Sequence, residues 1–324
     1  MERRNKNIRL LAVFIAVVLL VFTWMIIYIL GMARSLEQET AQKQESLKQE
    51  LQKTVAENTK KLNLSMKGLE EDIIEISKST AVEQVLSQNT ETHKELLLEG
   101  FEKYAKSNPP LMNVYMGLPD KSMLLYPEFE LPPDYDPTAR NWYTSAATHK
   151  EISWNGFFLD VATGHAVGNL ALPIFRQNIL QGVVGMDIDM DQLVEGIGEV
   201  RIGQGGYLMV TDNNGLLVIH PNTLQRGMSL NNEELLQLTA SKEEGTVQMM
   251  IEGRLQLISF ARTDHAALCV IGIADNPAPL GVQPLKLMLG GGVGALAALF
   301  VIIISILGIL LFQQIRAVKK ENGV

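Results

Sequence analysis

The chain has 324 residues, 47% of them hydrophobic, a formal net charge of −8 and a single cysteine, Cys269. One cysteine excludes an intrachain disulfide, and an acidic chain lacks the basic footprint that nucleic-acid binding needs. The bulk charge hides three regimes: residues 1–33 carry +3 and residues 287–324 carry +2, leaving −13 to residues 34–286. Basic ends around an acidic centre point to a chain pinned in a membrane at both ends.

Leu10 to Ala33 contains no charged residue, and Leu287 to Ile315 is likewise uncharged. Each exceeds the ~20 residues that carry a helix across a ~30 Å hydrocarbon core. Backbone groups in lipid must pair within their own segment, so both runs read as helices. The positive-inside rule puts Arg3, Arg4, Lys6 and Arg9 on the same cytoplasmic side as Arg316, Lys319 and Lys320, which two crossings satisfy. The first run is longer than the ~7–15-residue apolar core of a cleaved leader. It therefore reads as a retained anchor, although Gly31, Met32 and Ala33 loosely fit a cleavage site. The expectation is a two-pass protein of the cell (inner) membrane. Its parts are a cytoplasmic N-terminus 1–9, a first span 10–33, an extracytoplasmic region 34–286, a second span 287–313 and a short cytoplasmic tail 314–324.

After Ala33 the composition turns to Glu, Gln, Lys, Leu and Ser, with no Gly or Pro until Gly68. Leu47, Leu51, Val55, Asn58, Leu62, Met66, Leu69, Ile73 and Ile76 recur at three- and four-residue steps, the period of a helix with one apolar face. This predicts stalk helices over 34–107, the first running out of the first span and a second over 91–107 that ends at "SNPP". A polar helix that long is marginal alone, so its stripe must be covered. The expectation is packing on the chain's own domain at one height and on a second copy at another, which makes a homodimer.

Beyond Pro110 the pattern changes to strand alternation. "LMNVYMG" and "MLLYP" flank the turn "LPDKS"; "ISWNGFFLDV" and "HAVGNLALPIF" read as a hairpin; "LQGVVGMDIDM" reads as a buried strand entering a helix at "DQLVEGI". "GGYLMVTD", the turn "NNG" and "LLVIHP" form a second hairpin, and "GTVQMMIEG", "RLQLISFARTD" and "AALCVIGIAD" supply three more strands. "PDKSMLLYP" and "TDNNGLLVIHP" echo one another. The fold class is α+β: a long stalk helix followed by two similar modules in tandem. A membrane-distal module covers 108–192, a linker helix 193–203 and a membrane-proximal module 204–278.

The chain reads as a non-enzyme that holds no metal or cofactor. His93, His149, His165, His220 and His265 are scattered, with no pair at metal-ligand spacing. "GQGG" at 203–206 precedes a strand rather than a helix, so it is a turn and not a phosphate cradle. Asp187 and Asp189 share one face of a strand end without a third partner. The chemically dense stretch is instead "YDPTARNWY", Tyr135 to Tyr143, which sets an arginine among three aromatic rings. One reading is a core edge capped by Arg140; the other is a pocket of hydrogen-bond donors that awaits an anion.

The order "YDPTARNWYTSA", "FFLDVATG", "LPIF", "LQGVVGMDI", "GYLMVTDNNGLLVIHP" resembles the double Cache sensor domain of bacterial chemoreceptors and sensor kinases. The resemblance covers nearly the whole region between the spans, the long leading helix included, and implies two PAS-like modules. A subset of that family binds amino acids through an Arg-x-Trp-Tyr core, preceded by a Tyr and followed by an Asp on a later strand. The matching positions here are Tyr135, Arg140, Trp142, Tyr143 and Asp187, and Asp160 matches a further pocket position. Phe158 departs from the pattern: it stands where a Tyr is usual, so one hydroxyl is missing.

What the resemblance implies is chemically coherent. A free amino acid presents a carboxylate and an ammonium on one carbon. Arg140 can grip the carboxylate bidentately, with the Trp142 indole and the tyrosine hydroxyls as further donors. Asp187, helped by Asp160, would take the ammonium. The expected function is an extracytoplasmic sensor that passes its state through the transmembrane helices. An amine would need Asp187 and Asp160 without Arg140, and a small carboxylate the reverse. After "LFQQIRAVKKENGV" no output module follows. The state would then pass to a separate membrane or cytoplasmic partner, or the chain is the sensory part of a longer receptor. The remaining reading is a membrane-anchored interaction protein with a vestigial pocket.

Overall fold

A computed structural model describes residues 2–160, 164–276, 294, 298, 300–310, 312, 313 and 316. Helix α1 runs from Glu2 to Ser77 as one element. The chain divides into two compact units, one of Met1–Ser46 with Pro277–Val324 and one of Leu47–Asn276. In the first unit, α1 contains a stretch long and apolar enough to cross a membrane, and none of it is buried within the chain. The expected second span, 287–313, and the tail, 314–324, lie largely outside the described residues, of which Phe300–Leu310 form an apolar helix. The Phe22 and Phe300 rings stack at 4.7 Å, so the two apolar helices touch side by side.

The second unit begins where the stripe of α1 becomes buried. Leu47, Leu51, Val55, Leu62, Met66, Leu69, Ile73 and Ile76 are all at most 9% exposed. In the middle of the stripe Thr59 takes the buried position and Asn58 stays half-exposed. At ~1.5 Å per residue this buried face is about 44 Å long. The helix stops where Ser79 caps α2 (Thr80–Ser87), accepting from the Val82 N–H. Thr90 then caps α3 (Glu91–Ser107) in the same way. The stalk region therefore holds three helices where the spacing suggested two, because a serine and a threonine each supply a cap.

Two antiparallel sheets follow. The first consists of β1 (Leu111–Gly117), β2 (Met123–Tyr126), β3 (Ser153–Leu159), β4 (Ala166–Arg176) and β5 (Ile179–Asp189), in the order β2-β1-β5-β4-β3. Helix α4 (Asn141–His149) lies between β2 and β3 in the chain. Between the sheets, the stretch expected as a linker helix holds the end of the short helix α5 (Met190–Leu193) and a 3-10 turn at Ile197–Glu199. Gly196 breaks the run there, with φ +86°.

The second sheet has β6 (Arg201–Ile202), β7 (Gly206–Thr211), β8 (Leu217–Ile219), β9 (Glu244–Ile251), β10 (Arg254–Arg262) and β11 (Cys269–Asp275), with α6 (Glu233–Ser241) before β9. Its path is β6-β7-β11-β10-β9, with β8 also paired to β7. Leaving out the two-residue β6, the order β8-β7-β11-β10-β9 repeats that of the first sheet strand for strand. The faint sequence echo around the two hairpins is thus a topological repeat.

Each sheet turns one face to α1. Val114, Met116, Val184 and Met186 of the first sheet and Leu208, Val210 and Val270 of the second join the α1 stripe in a single apolar cluster. Leu51 and Val55 lie so close over Gly272 of β11 that a Cβ there would sit 2.7 Å from each. The opposite faces differ. In the second sheet that face is filled by Met209, Ile258, Phe260, Ile271 and Ile273 under Leu235 of α6. In the first it carries a separate cluster, Tyr115, Leu125, Ala171 and Val183 under Trp142, Tyr143 and Ala146 of α4. The space left beside that cluster is the cleft described next.

A candidate amino-acid cleft on the first sheet

The cleft has a volume of about 680 Å³. Its floor is the free face of the first sheet, where Asn113 and Tyr115 (β1), Asn155 (β3), Asn169 (β4) and Asp187 (β5) point together. Register explains the convergence. Asn113 pairs with Asp187 across β1 and β5, and Asn169 pairs with Asp187 across β4 and β5, so all three share one face. Tyr115 stands opposite Gly185, whose hydrogen lets the phenol ring lie flat against the strand. A Cβ at Gly185 would come within 2.2 Å of that ring.

Asp187 is the centre of the floor. One carboxylate oxygen accepts from the Tyr115 hydroxyl at 2.9 Å and from the Asn169 amide at 2.7 Å; the other accepts from the Asn113 amide at 3.1 Å. The Asn169 amide also reaches the Tyr115 hydroxyl oxygen at 2.5 Å, and Asn155 donates to the Asn169 carbonyl at 3.1 Å. Burial raises the Asp187 pKa above the usual carboxylate value, and the three donors pull in the other direction without cancelling it. The Tyr115 hydroxyl is pushed well up by its own burial and by the neighbouring Asp187 charge. None of the three groups that contact Asp187 is a cation, so among the described residues its charge has no ion-pair partner.

The opposite wall comes from residues 129–142. Asp136 opens the 3-10 turn Pro137–Ala139 by accepting from the Thr138 N–H, and its carboxylate also pairs with Lys121 at 2.8 Å. Arg140 follows as the residue before α4, in extended conformation. Its guanidinium lies over the Tyr135 ring, 4.4 Å from the centroid. No carboxylate pairs with it among the described residues. Trp142 meets Tyr115 edge to face at 4.9 Å and rests on Gly117, where a Cβ would be 2.8 Å from the indole. Met123, Leu125, Phe129, Leu131 and Pro132 close the end beside β2, and Phe158 of β3 stands at the rim, 49% exposed.

Of the seven positions singled out in the sequence, five line this cleft: Tyr135, Arg140, Trp142, Phe158 and Asp187. Tyr143 does not; it is 5% exposed and packs beneath, edge to face with Trp142 at 5.6 Å. Asp160 is not among the lining residues either. It closes the β3–β4 hairpin, where its N–H donates to the His165 carbonyl and its carbonyl accepts from Gly164. The floor residues Asn113, Tyr115, Asn155 and Asn169 were not singled out. Asp189, next along β5, turns to the structure rather than the cleft: it caps α5 through the Asp191 and Gln192 N–H groups and meets His165 at 2.7 Å. His165, Asp189 and Asp191 cluster closely enough to suggest a metal, but Asp191 is paired with Arg226 of the second module, which already supplies a cation.

Comparison with known proteins identifies the fold that carries this cleft. A Cache domain family model matches residues 32–276. The methyl-accepting chemotaxis protein TlpB of Bacillus subtilis (strain 168) is 27% identical over 220 residues, covering 66% of this chain and 32% of that protein. The chain spans about a third or less of the length of the curated relatives it matches. Among solved structures, the ligand-binding domain of the amino acid chemoreceptor PctC of Pseudomonas aeruginosa PAO1, in complex with GABA, aligns with a TM-score of 0.59. The identity is 19%, over 70% of this chain and 99% of that one. The ligand-binding domain of PctB from the same organism, in complex with L-Arg, aligns with a TM-score of 0.57 at 21% identity, over 71% and 96%. At such identities the likeness establishes the fold.

Proposed function

The chain belongs to the Cache domain family, and on that premise we propose that its first module is an extracytoplasmic sensor for a free amino acid. One observation carries the reading: a single cleft holds one cation and one anion, Arg140 and Asp187, neither of them ion-paired within the described chain. The α-carboxylate docks on the guanidinium, flanked by the Tyr135 and Trp142 donors, and the α-ammonium docks on Asp187. Charge-assisted hydrogen bonds contribute about 1.5–3 kcal/mol each. Phe158 adds a ring at the rim without a hydroxyl.

Relatives named as methyl-accepting chemotaxis proteins and neighbours named as amino acid chemoreceptors support this reading. The apolar part of α1 serves as a membrane anchor, with a second span at 287–313 making the protein two-pass. Ligand closure over the first sheet reaches the membrane through the second module and α1, as shifts of about 1–2 Å in helices that the ligand-bound state favours. A dimer through the remaining face of the stalk, and a cytoplasmic signalling partner, complete the proposal.

Calorimetry on the full chain in detergent micelles, against the common amino acids, simple amines and organic acids, tests it. An amino acid binds, and Arg140→Ala removes that binding by about 100-fold or more while the circular dichroism is unchanged. An amine that binds equally well to the Arg140→Ala protein would overturn the carboxylate assignment.

A further inference from the structure

The proposed zwitterion site leaves the ligand's side chain unassigned, and the inference that follows rests on that site. Crossing the first sheet from β3 to β2, the cleft floor reads Asn155, Asn169, Asp187, then Asn113 with Tyr115, and finally Met123 with Leu125. Polarity changes abruptly between β1 and β2. Strands lie about 4.8 Å apart, so the β2 side chains stand two strands, about 10 Å, from the Asp187 strand. That distance is about the reach of an amino acid held by its α-ammonium with its side chain extended.

The chain beyond β2 continues the same surface. Phe129, Leu131 and Pro132 line the cleft after the strand ends. Leu131 is half-buried against the cluster that contains Tyr115 and Trp142, which fixes its place. Among the described residues Arg140 and Asp187 are the only charged ones that line the cleft, and the α-carboxylate and α-ammonium occupy both. A ligand with an ionised side chain would lose water against methionine, leucine and phenylalanine and find no counter-charge. An aliphatic or thioether side chain would trade water for apolar contact at every carbon.

We infer that the cleft selects amino acids with apolar side chains, leucine, isoleucine, methionine and phenylalanine among them, through a subsite built from Met123, Leu125, Phe129, Leu131 and Pro132. Acidic and basic amino acids are rejected. Glycine, which reaches none of these residues, binds weakly through the α-groups alone.

The test uses the full chain in detergent micelles and isothermal titration with leucine, methionine, glycine, glutamate and arginine. Leucine is expected to bind at least about tenfold more tightly than glycine, since each buried methylene brings roughly a fourfold gain. Glutamate and arginine are expected to be at least about 100-fold weaker than leucine. Leu131→Ala narrows the gap between leucine and glycine. Phe129→Arg, at a rim position already 54% exposed, raises glutamate affinity relative to leucine without unfolding the chain. Glutamate or arginine binding as tightly as leucine to the unaltered chain overturns the subsite while leaving the zwitterion site in place. Amines or organic acids binding where no amino acid does overturns the zwitterion site itself, and the subsite with it.

Discussion

Asp187 sits among Asn113, Tyr115 and Asn169 with a pKa that burial has raised above 3.8. Its protonated form is therefore favoured in the fold, and ionising it costs stability as the pH rises from 3.8 through the raised value. A bound ammonium favours the ionised form instead. Amino-acid affinity should then weaken as the pH falls through the raised pKa. Calorimetry over a descending series of pH from neutrality reads this directly. Asp187→Asn should bind about 100-fold more weakly at pH 7 and lose the acid dependence; an unchanged slope would place the titrating group elsewhere. Tyr115→Phe keeps the ring over Gly185 but removes the hydroxyl that meets both Asp187 and Asn169. A loss of about 1 kcal/mol in unfolding free energy is expected from chemical denaturation. Part of this site is legible from residue order alone, because Tyr135, Arg140 and Trp142 lie within eight positions at a spacing that a family shares. Asn113, Tyr115, Asn155 and Asn169 are not. Each is an ordinary inward residue on its own strand and becomes part of a site only when β1, β3, β4 and β5 fall into register.

Helix α1 does more than present an apolar stripe. Glu70 uses both carboxylate oxygens, one accepting from the Trp154 indole of β3 at 2.9 Å and the other meeting His265, in the β10–β11 loop, at 2.9 Å. One helix residue thus ties the first sheet to the second. Trp154 adjoins Asn155, which lines the cleft and holds Asn169, so Glu70 touches the strand neighbour of a cleft residue. Glu70→Ala should lower stability by about 1 kcal/mol, because it leaves a half-buried indole N–H without its acceptor. Gly185→Ala tests the register of β1 on β5: the new methyl meets the Tyr115 ring, which is only 2% exposed and cannot withdraw. A cost of about 1–3 kcal/mol is expected, together with weaker amino-acid binding. Helix-period spacing exposes the stripe of α1 and the helix over 91–107 from sequence alone, but the break at Ser79 that sets off α2 depends on a single cap that no period reveals.

At the scale of the whole chain, the two sheets share one strand order but not one purpose. Their α1-facing sides merge into a single apolar cluster that runs from Leu47 to Ala274. Their outer sides diverge: Ile258 pairs with Ile273 in the second sheet where Asn169 pairs with Asp187 in the first. Among the described residues only the first sheet keeps its outer face polar, with Asp187 already held by Asn113, Tyr115 and Asn169. Leu51 lies over Gly272 in the second sheet, whereas Trp142 and Trp154 report on the first. If the core couples the modules, Leu51→Ala will shift the tryptophan fluorescence transition as far as it shifts the circular dichroism transition, with a loss of about 2–5 kcal/mol. Two separated transitions, with the fluorescence midpoint unmoved, would mean that the modules fold independently, and a signal could not pass between them through the body of the helix they share.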